Sequence, residues 1–106
     1  MAKKKITISV AIATYNEAVK LGDCLSSVSL WVDEIVLVDG GSTDGTIEIA
    51  KRYGAVVHKQ NNPPMFHINK QYAIDRCKSD WILQLDADEV VSKDLSEEIR
   101  SVIKKK

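Results

Sequence analysis

The chain has 106 residues, 44% of them hydrophobic and 28% charged, which is typical of one globular domain spanning residues 1–106. Fifteen basic residues balance fifteen acidic ones and only 6% of the residues are aromatic, so the basic, aromatic surface of a nucleic-acid-binding protein is excluded. No stretch approaches the roughly 20 apolar residues that a membrane span requires.

The amino-terminal segment and the two cysteines indicate the cellular compartment of the protein. Lysines at 3–5 precede an apolar stretch, as in a secretory signal, but Thr7 and Ser9 interrupt that stretch and favour a strand. Cys24 and Cys77 are isolated and have no metal-ligand spacing, which suits a reducing compartment. The sequence therefore predicts a cytoplasmic protein.

The first half of the chain predicts two strands separated by a helix. Residues 6–14 are β-branched and run into a polar turn at 15–17, as a strand does before a helix. A continuous apolar run at 35–38 predicts a strand buried on both faces, and it stops at the polar residues 39–42. Between the two strands, helical spacing relates Leu21, Leu25 and Val28.

The middle of the chain predicts a second helix, a short strand and a loop. Ile47, Ala50 and Tyr53 form a helical stripe, and Gly54 is placed to end that helix before a strand at 55–58. Residues 60–64 contain two consecutive prolines, which fix the backbone and remove hydrogen-bond donors, so they predict a loop.

The last part of the chain predicts two helices around a fourth strand. A weakly amphipathic helix presents Ala73, Ile74 and Cys77, and an apolar strand follows at 81–85. Ser92 is a suitable N-cap for a final helix. That helix is predicted to turn four side chains inward, Leu95, Ile99, Val102 and Ile103.

This βαβαβαβα order predicts an α/β fold, a Rossmann-like parallel sheet of about four strands with helices on both faces. In such a fold ligands bind at the carboxyl ends of the strands. Polar clusters stand at three of those ends, at residues 14–17, 39–42 and 86–88, so they are expected to converge on one crevice.

Asp86 and Asp88 are the strongest indication of chemistry. They follow an apolar strand directly, and in an extended chain residues two apart point to the same side about 6.5 to 7 Å apart. Oxygen-only ligands suit Mg²⁺ or Mn²⁺, which keep open positions for diphosphate oxygens. The pair therefore predicts a metal site for a phosphate-bearing ligand.

Three stretches, at residues 9–17, 33–46 and 80–89, together resemble the amino-terminal half of the family 2 inverting glycosyltransferases, which have the glycosyltransferase A fold. Within that family the chain is most similar to the lipopolysaccharide core-type glucosyltransferases. The resemblance implies a truncated fold of this type and a nucleotide-diphosphate sugar, commonly a UDP-sugar, as ligand.

The resemblance also implies roles for individual residues. Asp86 would meet the ribose or the metal, and Asp88 the metal. Lys70, next to Asn69, would contact the diphosphate, with a plain helix-surface position as the alternative for both. The nucleotide sugar would be bound by residues matching Thr14, Tyr15, Asn16, Glu17 and Asp39.

No catalytic residue is assigned. In the family, an Asp or Glu of the second half removes the acceptor proton, and no such residue is recognisable here; Glu89 is expected to cap or support the metal site. The chain alone is therefore expected to bind a donor without transferring it, as a fragment or one part of a split enzyme in cell-envelope synthesis.

Two other interpretations remain open, a free-standing nucleotide-sugar binding module and, less well supported, a phosphoacceptor domain. Because the sheet of the family continues into its second half, the fourth strand is expected to be an exposed edge. A homodimer or an association with a separate acceptor domain could form there.

Overall fold

The computed structural model describes residues 5–61 and 67–104, and in them strands and helices alternate as predicted. Pro63 and Pro64 of the predicted loop lie outside the described residues. The elements are β1 (Ile8–Thr14), α1 (Ala18–Ser26), β2 (Glu34–Asp39), α2 (Thr46–Arg52), β3 (Val56–Lys59), α3 (His67–Asp75), β4 (Trp81–Asp86) and α4 (Lys93–Lys104).

The strands form one parallel sheet in the order β3-β2-β1-β4. Thr14 pairs with Asp39 and Ala13 with Asp86, so the carboxyl ends of β1, β2 and β4 lie side by side. The chain crosses from β3 to the other side of β1 to form β4, and this change of direction opens a crevice beside β1, the usual ligand position in open α/β sheets.

Helices cover both faces of the sheet, as predicted. Val10 and Ile12 of β1 face the larger core cluster, which includes Leu21 and Leu25 of α1. Ala11 points the other way, into a cluster that contains Ala73 of α3. Every residue of β1 is buried, because a central parallel strand is covered on both faces.

Two predicted helix boundaries are confirmed. Gly54 follows α2 with a φ of 81°, a conformation that glycine adopts without steric cost and that commonly ends a helix. At the start of α4, the Ser92 hydroxyl accepts a hydrogen bond of 3.1 Å from the Leu95 amide. That contact is the predicted N-cap.

The prediction for the inward face of α4 is wrong for two of its four residues. Ile103 is buried and Ile99 packs on the core, but Leu95 is 44% exposed and Val102 47% exposed. The cause is the position of β4 at the edge of the sheet, where no further described strand extends the surface beneath the helix. With Ile82 these side chains line an apolar groove of about 280 Å³ beside β4.

Candidate functional site

A cleft of about 400 Å³ opens at the carboxyl ends of β1 and β4. Three of the predicted ligand-binding residues do not line it: Thr14, Tyr15 and Asp39. Thr14 and Asp39 are buried, whereas Tyr15, which precedes the lining residue Asn16, is 43% exposed. The lining residues are Asn16, Glu17, Val19, Lys20, Lys70, Asp86, Ala87 and Asp88.

Residues 86–89 form a β-turn, called here the acidic turn. The Glu89 amide donates to the Asp86 carbonyl at 2.9 Å, and the Glu89 carboxylate accepts from the Asp86 amide at 2.7 Å. The predicted extended geometry of Asp86 and Asp88 is therefore wrong, because Glu89 turns the chain back immediately after β4. Both aspartates nevertheless line the cleft. Glu89 caps the turn, as expected for it.

Helix α1 contacts the acidic turn from the buried side. The Cys24 thiol donates to the Asp86 carbonyl at 3.6 Å, and Cys24 itself is fully buried. Burial raises the pKa of this thiol to about 11, with smaller contributions from Glu89, Asp88 and Asp86, so it stays protonated and able to donate.

Ser27 holds the carboxyl end of the loop at residues 86–91, which begins with the acidic turn. Its hydroxyl accepts from the Val91 amide at 3.0 Å and donates to the Cys24 carbonyl at 2.6 Å. Val91 is buried beside Ala87 in the core cluster, so the loop is fixed at both ends while Asp88 remains exposed between them. Nothing in the sequence pattern distinguishes Ser27 from its neighbours.

Replacing Ser27 with alanine is expected to loosen this loop. The buried Val91 amide would lose its acceptor, which costs about 1 to 3 kcal/mol. Amide hydrogen exchange measured by NMR should accelerate at Val91 and Glu89. Ser26→Ala is the matched control, because the Ser26 hydroxyl bonds to the Asp23 carbonyl within its own helix and to no residue of 86–91. Equal exchange rates in the two variants would show that Ser27 does not hold the loop.

An ion pair in the cleft links helix α3 to the end of β4. Lys70 Nζ lies 2.9 Å from Asp86 Oδ1, with the side chains 31% and 48% exposed. The hydrogen bond from Lys70, helped by one from Gln84, holds the pKa of Asp86 below its ordinary value. Asp88, by contrast, is exposed and makes no hydrogen bond or ion pair within residues 5–61 and 67–104.

The neighbouring Asn69 is not a surface residue. Its side chain is 2% exposed and donates to the Asn61 carbonyl at 3.0 Å. The helix-surface alternative is therefore wrong for Asn69, which instead ties α3 to the segment that follows β3. This contact anchors the first turn of α3, which also carries Lys70.

Asp39 is fully buried and its carboxylate is occupied by the protein itself. It accepts from the Thr14 hydroxyl at 2.9 Å and from the Gly41 amide at 3.0 Å. The Ser42 amide and hydroxyl donate to it at 2.7 and 2.6 Å. Gly41 has a φ of 101°, which explains a glycine at this point. In this conformation Asp39 shapes the loop after β2 and offers no oxygen to the cleft.

The loop after β1 is bonded to the loop after β2. Asn16 has a φ of 53°, which asparagine tolerates better than most residues. Its amide donates to the Ser42 hydroxyl at 2.7 Å, and its side-chain oxygen accepts from the Thr43 amide at 2.8 Å. The Glu17 amide donates to the Thr46 hydroxyl at 2.9 Å. These bonds hold Asn16 and Glu17 in the cleft wall.

The donor set at the acidic turn fits a cation that is shared with a ligand. No cluster of three or more His, Cys, Asp or Glu side chains that could hold a metal occurs in the described part of the chain. Asp86 and Asp88 offer carboxylate oxygens only, and Mg²⁺ and similar ions are commonly bound by one or two carboxylates together with substrate phosphates and water. The protein alone would hold such an ion weakly.

Comparison with known proteins gives consistent matches. Residues 9–106 match the family model described as Glycosyl transferase family 2. The chain is 42% identical over 96 residues to an uncharacterized glycosyltransferase of Rickettsia felis, covering 90% of this chain and 33% of that protein. It is 36% identical over 97 residues to the lipopolysaccharide core biosynthesis glycosyltransferase LpsC of Rhizobium meliloti, covering 88% and 36%. The chain thus spans about a third of the length of the curated relatives it matches.

Solved structures match as well. A crystal structure of S. aureus TarS 1–349 superposes with a TM-score of 0.82 at 23% identity, covering 94% of this chain and 33% of that one, which shows the shared fold. Glucosyl-3-phosphoglycerate synthase from Mycobacterium tuberculosis, in complex with Mn²⁺, UDP and glucosyl-3-phosphoglycerate, superposes with a TM-score of 0.66 at 26% identity, covering 77% and 33%. Among the described residues, no helix is both long and apolar enough to cross a bilayer.

Proposed function

The chain belongs to glycosyltransferase family 2, and on that premise we propose that it binds the nucleotide-diphosphate sugar donor, a UDP-sugar, of a glycosyl transfer. The observation that carries this proposal is the cleft at the strand ends, where the two aspartates that end β4 and follow it meet a lysine of α3. The complex of the mycobacterial relative with Mn²⁺ and UDP supports it.

The acidic turn is the proposed diphosphate end of the site. Asp88 and Asp86 would hold Mn²⁺ or Mg²⁺, and the Lys70 ammonium would contact the diphosphate. A bound cation stabilises negative charge on a departing nucleoside diphosphate. The chain's own contribution is to keep these three side chains in one cleft wall, through α3, β4 and the loop that α1 holds.

The nucleoside end is proposed to lie along the loop after β1. Asn16 and Glu17 line the cleft, and the half-exposed ring of Tyr15 offers a surface for a base. Thr14 and Asp39 are buried and bonded to each other, so we propose that they act on the nucleotide through the loops they hold in place.

Transfer to an acceptor needs a general base, and Glu89, which follows the two cleft aspartates, is unsuited to that role. The Glu89 carboxylate is engaged with the Asp86 amide in the acidic turn. We propose that these residues bind the donor and that the base and the acceptor site belong to another region or chain, in cell-envelope polysaccharide or lipopolysaccharide synthesis. The likeness to LpsC supports that setting.

Two proposals concern location and assembly. The free thiols of Cys24 and Cys77 support a cytoplasmic location. The edge position of β4 and the apolar groove beside it support association with a second copy or with an acceptor-binding domain.

A titration of the ¹⁵N-labelled chain with UDP in the presence of Mg²⁺ tests the proposed site. The amide signals of Tyr15, Asn16 and Asp88 should shift over the same range of UDP concentration, and the shifts should be smaller when Mg²⁺ is omitted. A folded sample whose signals do not respond would overturn donor binding. Incubation with UDP-glucose then separates the alternatives, because binding without sugar transfer or donor hydrolysis fits a binding region or module, whereas turnover would show that the chain holds its own base.

A further inference from the structure

The ammonium group of Lys70 occupies the position at which a cation would approach Asp86. Its Nζ lies 2.9 Å from Asp86 Oδ1, and both residues line the cleft. The placement is built into the fold, because α3 packs on the sheet through Ala73 and is tied to the preceding segment by Asn69. Lys70 therefore neutralises Asp86 before any ligand arrives.

We infer that Lys70 is an internal substitute for the metal, which makes the cation and the nucleoside diphosphate bind as a pair rather than separately. The inference rests on the proposed function. A divalent cation alone must displace Lys70 from Asp86 and then tolerate its positive charge nearby. A diphosphate removes both penalties, since its oxygens bind the cation and give the displaced ammonium a new anionic partner.

This arrangement gives Lys70 two opposite effects. Without nucleotide it competes with the cation, so its removal strengthens metal binding. With nucleotide it contacts the diphosphate, so its removal weakens UDP binding. A lysine that acted only as a diphosphate contact would show the second effect alone, and a lysine that only stabilised the fold would show neither.

Lys20 offers a matched control for charge. It lines the same cleft from α1 and is exposed, but its ammonium makes no ion pair to a residue in the described ranges. Lys20→Met removes one positive charge from the cleft without releasing Asp86. Comparing it with Lys70→Met isolates the contribution of the ion pair from the general electrostatic effect.

Mn²⁺ binding without nucleotide can be followed by the EPR signal of free Mn²⁺, and UDP binding at saturating Mn²⁺ by calorimetry. Partly exposed ion pairs contribute up to about 1 kcal/mol, which corresponds to about fivefold in affinity. Lys70→Met is therefore expected to strengthen binding of Mn²⁺ alone about three- to fivefold and to weaken UDP binding by a similar factor. Lys20→Met should change binding of Mn²⁺ alone less than twofold.

Thermal melting verifies that each variant is folded, and Lys70→Gln replaces Lys70→Met if the latter is not. In an Asp86→Asn background the strengthening by Lys70→Met should disappear. The inference is overturned if Lys70→Met leaves Mn²⁺ binding unchanged or weakens it, or if Lys20→Met produces the same gain. Failure of the unmodified chain to bind UDP with Mn²⁺ would instead overturn the proposed function and with it the paired binding, while the Mn²⁺ comparison of the two lysine variants would still decide whether Lys70 competes with the cation for Asp86.

Discussion

Replacing Asp88 with asparagine is expected to abolish the metal-dependent part of UDP binding while leaving the fold intact. Its side chain is exposed and has no bond to the described protein, so stability does not depend on it. Loss of a group that only orients a metal ligand typically costs 10- to 100-fold in metal affinity, so loss of a direct ligand should cost about 100-fold or more. Calorimetry with UDP at a fixed Mn²⁺ concentration measures the effect.

Glu97→Gln is the control for loss of one negative charge, because Glu97 lies on α4 beside Arg100, Ser101 and Lys104 and not in the cleft. It should bind UDP like the unmodified chain. Two results would contradict the role given to Asp88: unchanged binding by Asp88→Asn, which would remove it from the metal site, or a melting temperature lowered by many degrees, which would make it a structural residue.

Replacing Asp39 with alanine is expected to lower the free energy of unfolding by about 3 to 5 kcal/mol. The fully buried carboxylate satisfies the Thr14 hydroxyl and three donors of Gly41 and Ser42. Hydrogen bonds to a charged group contribute about 1.5 to 3 kcal/mol each, and donors left unpaired add their own desolvation cost. Urea unfolding followed by circular dichroism measures the change.

The comparison for this variant is Asp23→Ala, which removes an exposed acid of α1 and should change stability by less than about 0.5 kcal/mol. A loss of less than about 1 kcal/mol for Asp39→Ala would show that the buried bonds do not hold the two loops together. Asp39 would then be better explained as a residue kept available for the ligand.

The fold was predictable because its signals are local. The continuous apolar run at 35–38 is typical of a strand covered on both faces, and these residues lie in β2. Gly54 and Ser92 mark helix boundaries through their own backbone or side-chain chemistry. Once strands and helices alternate, a parallel sheet places the polar strand ends at one edge, so the approximate position of the site followed from the order of the elements.

The errors come from features that spacing does not encode. Helical spacing groups Leu95 and Val102 with Ile99 and Ile103, but it does not show how far the sheet extends beneath them. Side chains two residues apart point to the same side only where the chain is extended. The two hydrogen bonds between Asp86 and Glu89 end the strand at Asp86, so the rule does not apply to Asp88. Ser27 acts through a hydroxyl contact with Val91, which is 64 positions away in the sequence.

Two aspartates that look alike in the sequence differ in the structure. Asp39 and Asp88 both follow an apolar strand, yet Asp39 is surrounded by donors from a glycine-containing loop and Asp88 is exposed at the tip of a turn. The difference depends on where neighbouring amides point after the strand ends. Such backbone geometry is set by tertiary contacts, and the residue types alone do not reveal it.

The most direct test of donor binding is calorimetry of the chain with UDP, first with Mn²⁺ and then after addition of EDTA. We expect saturable binding of one UDP per chain that EDTA removes and excess Mn²⁺ restores. A folded sample that binds no UDP in either condition, or that binds it equally well in EDTA, would contradict a metal-assisted nucleotide-sugar site at Asp86 and Asp88.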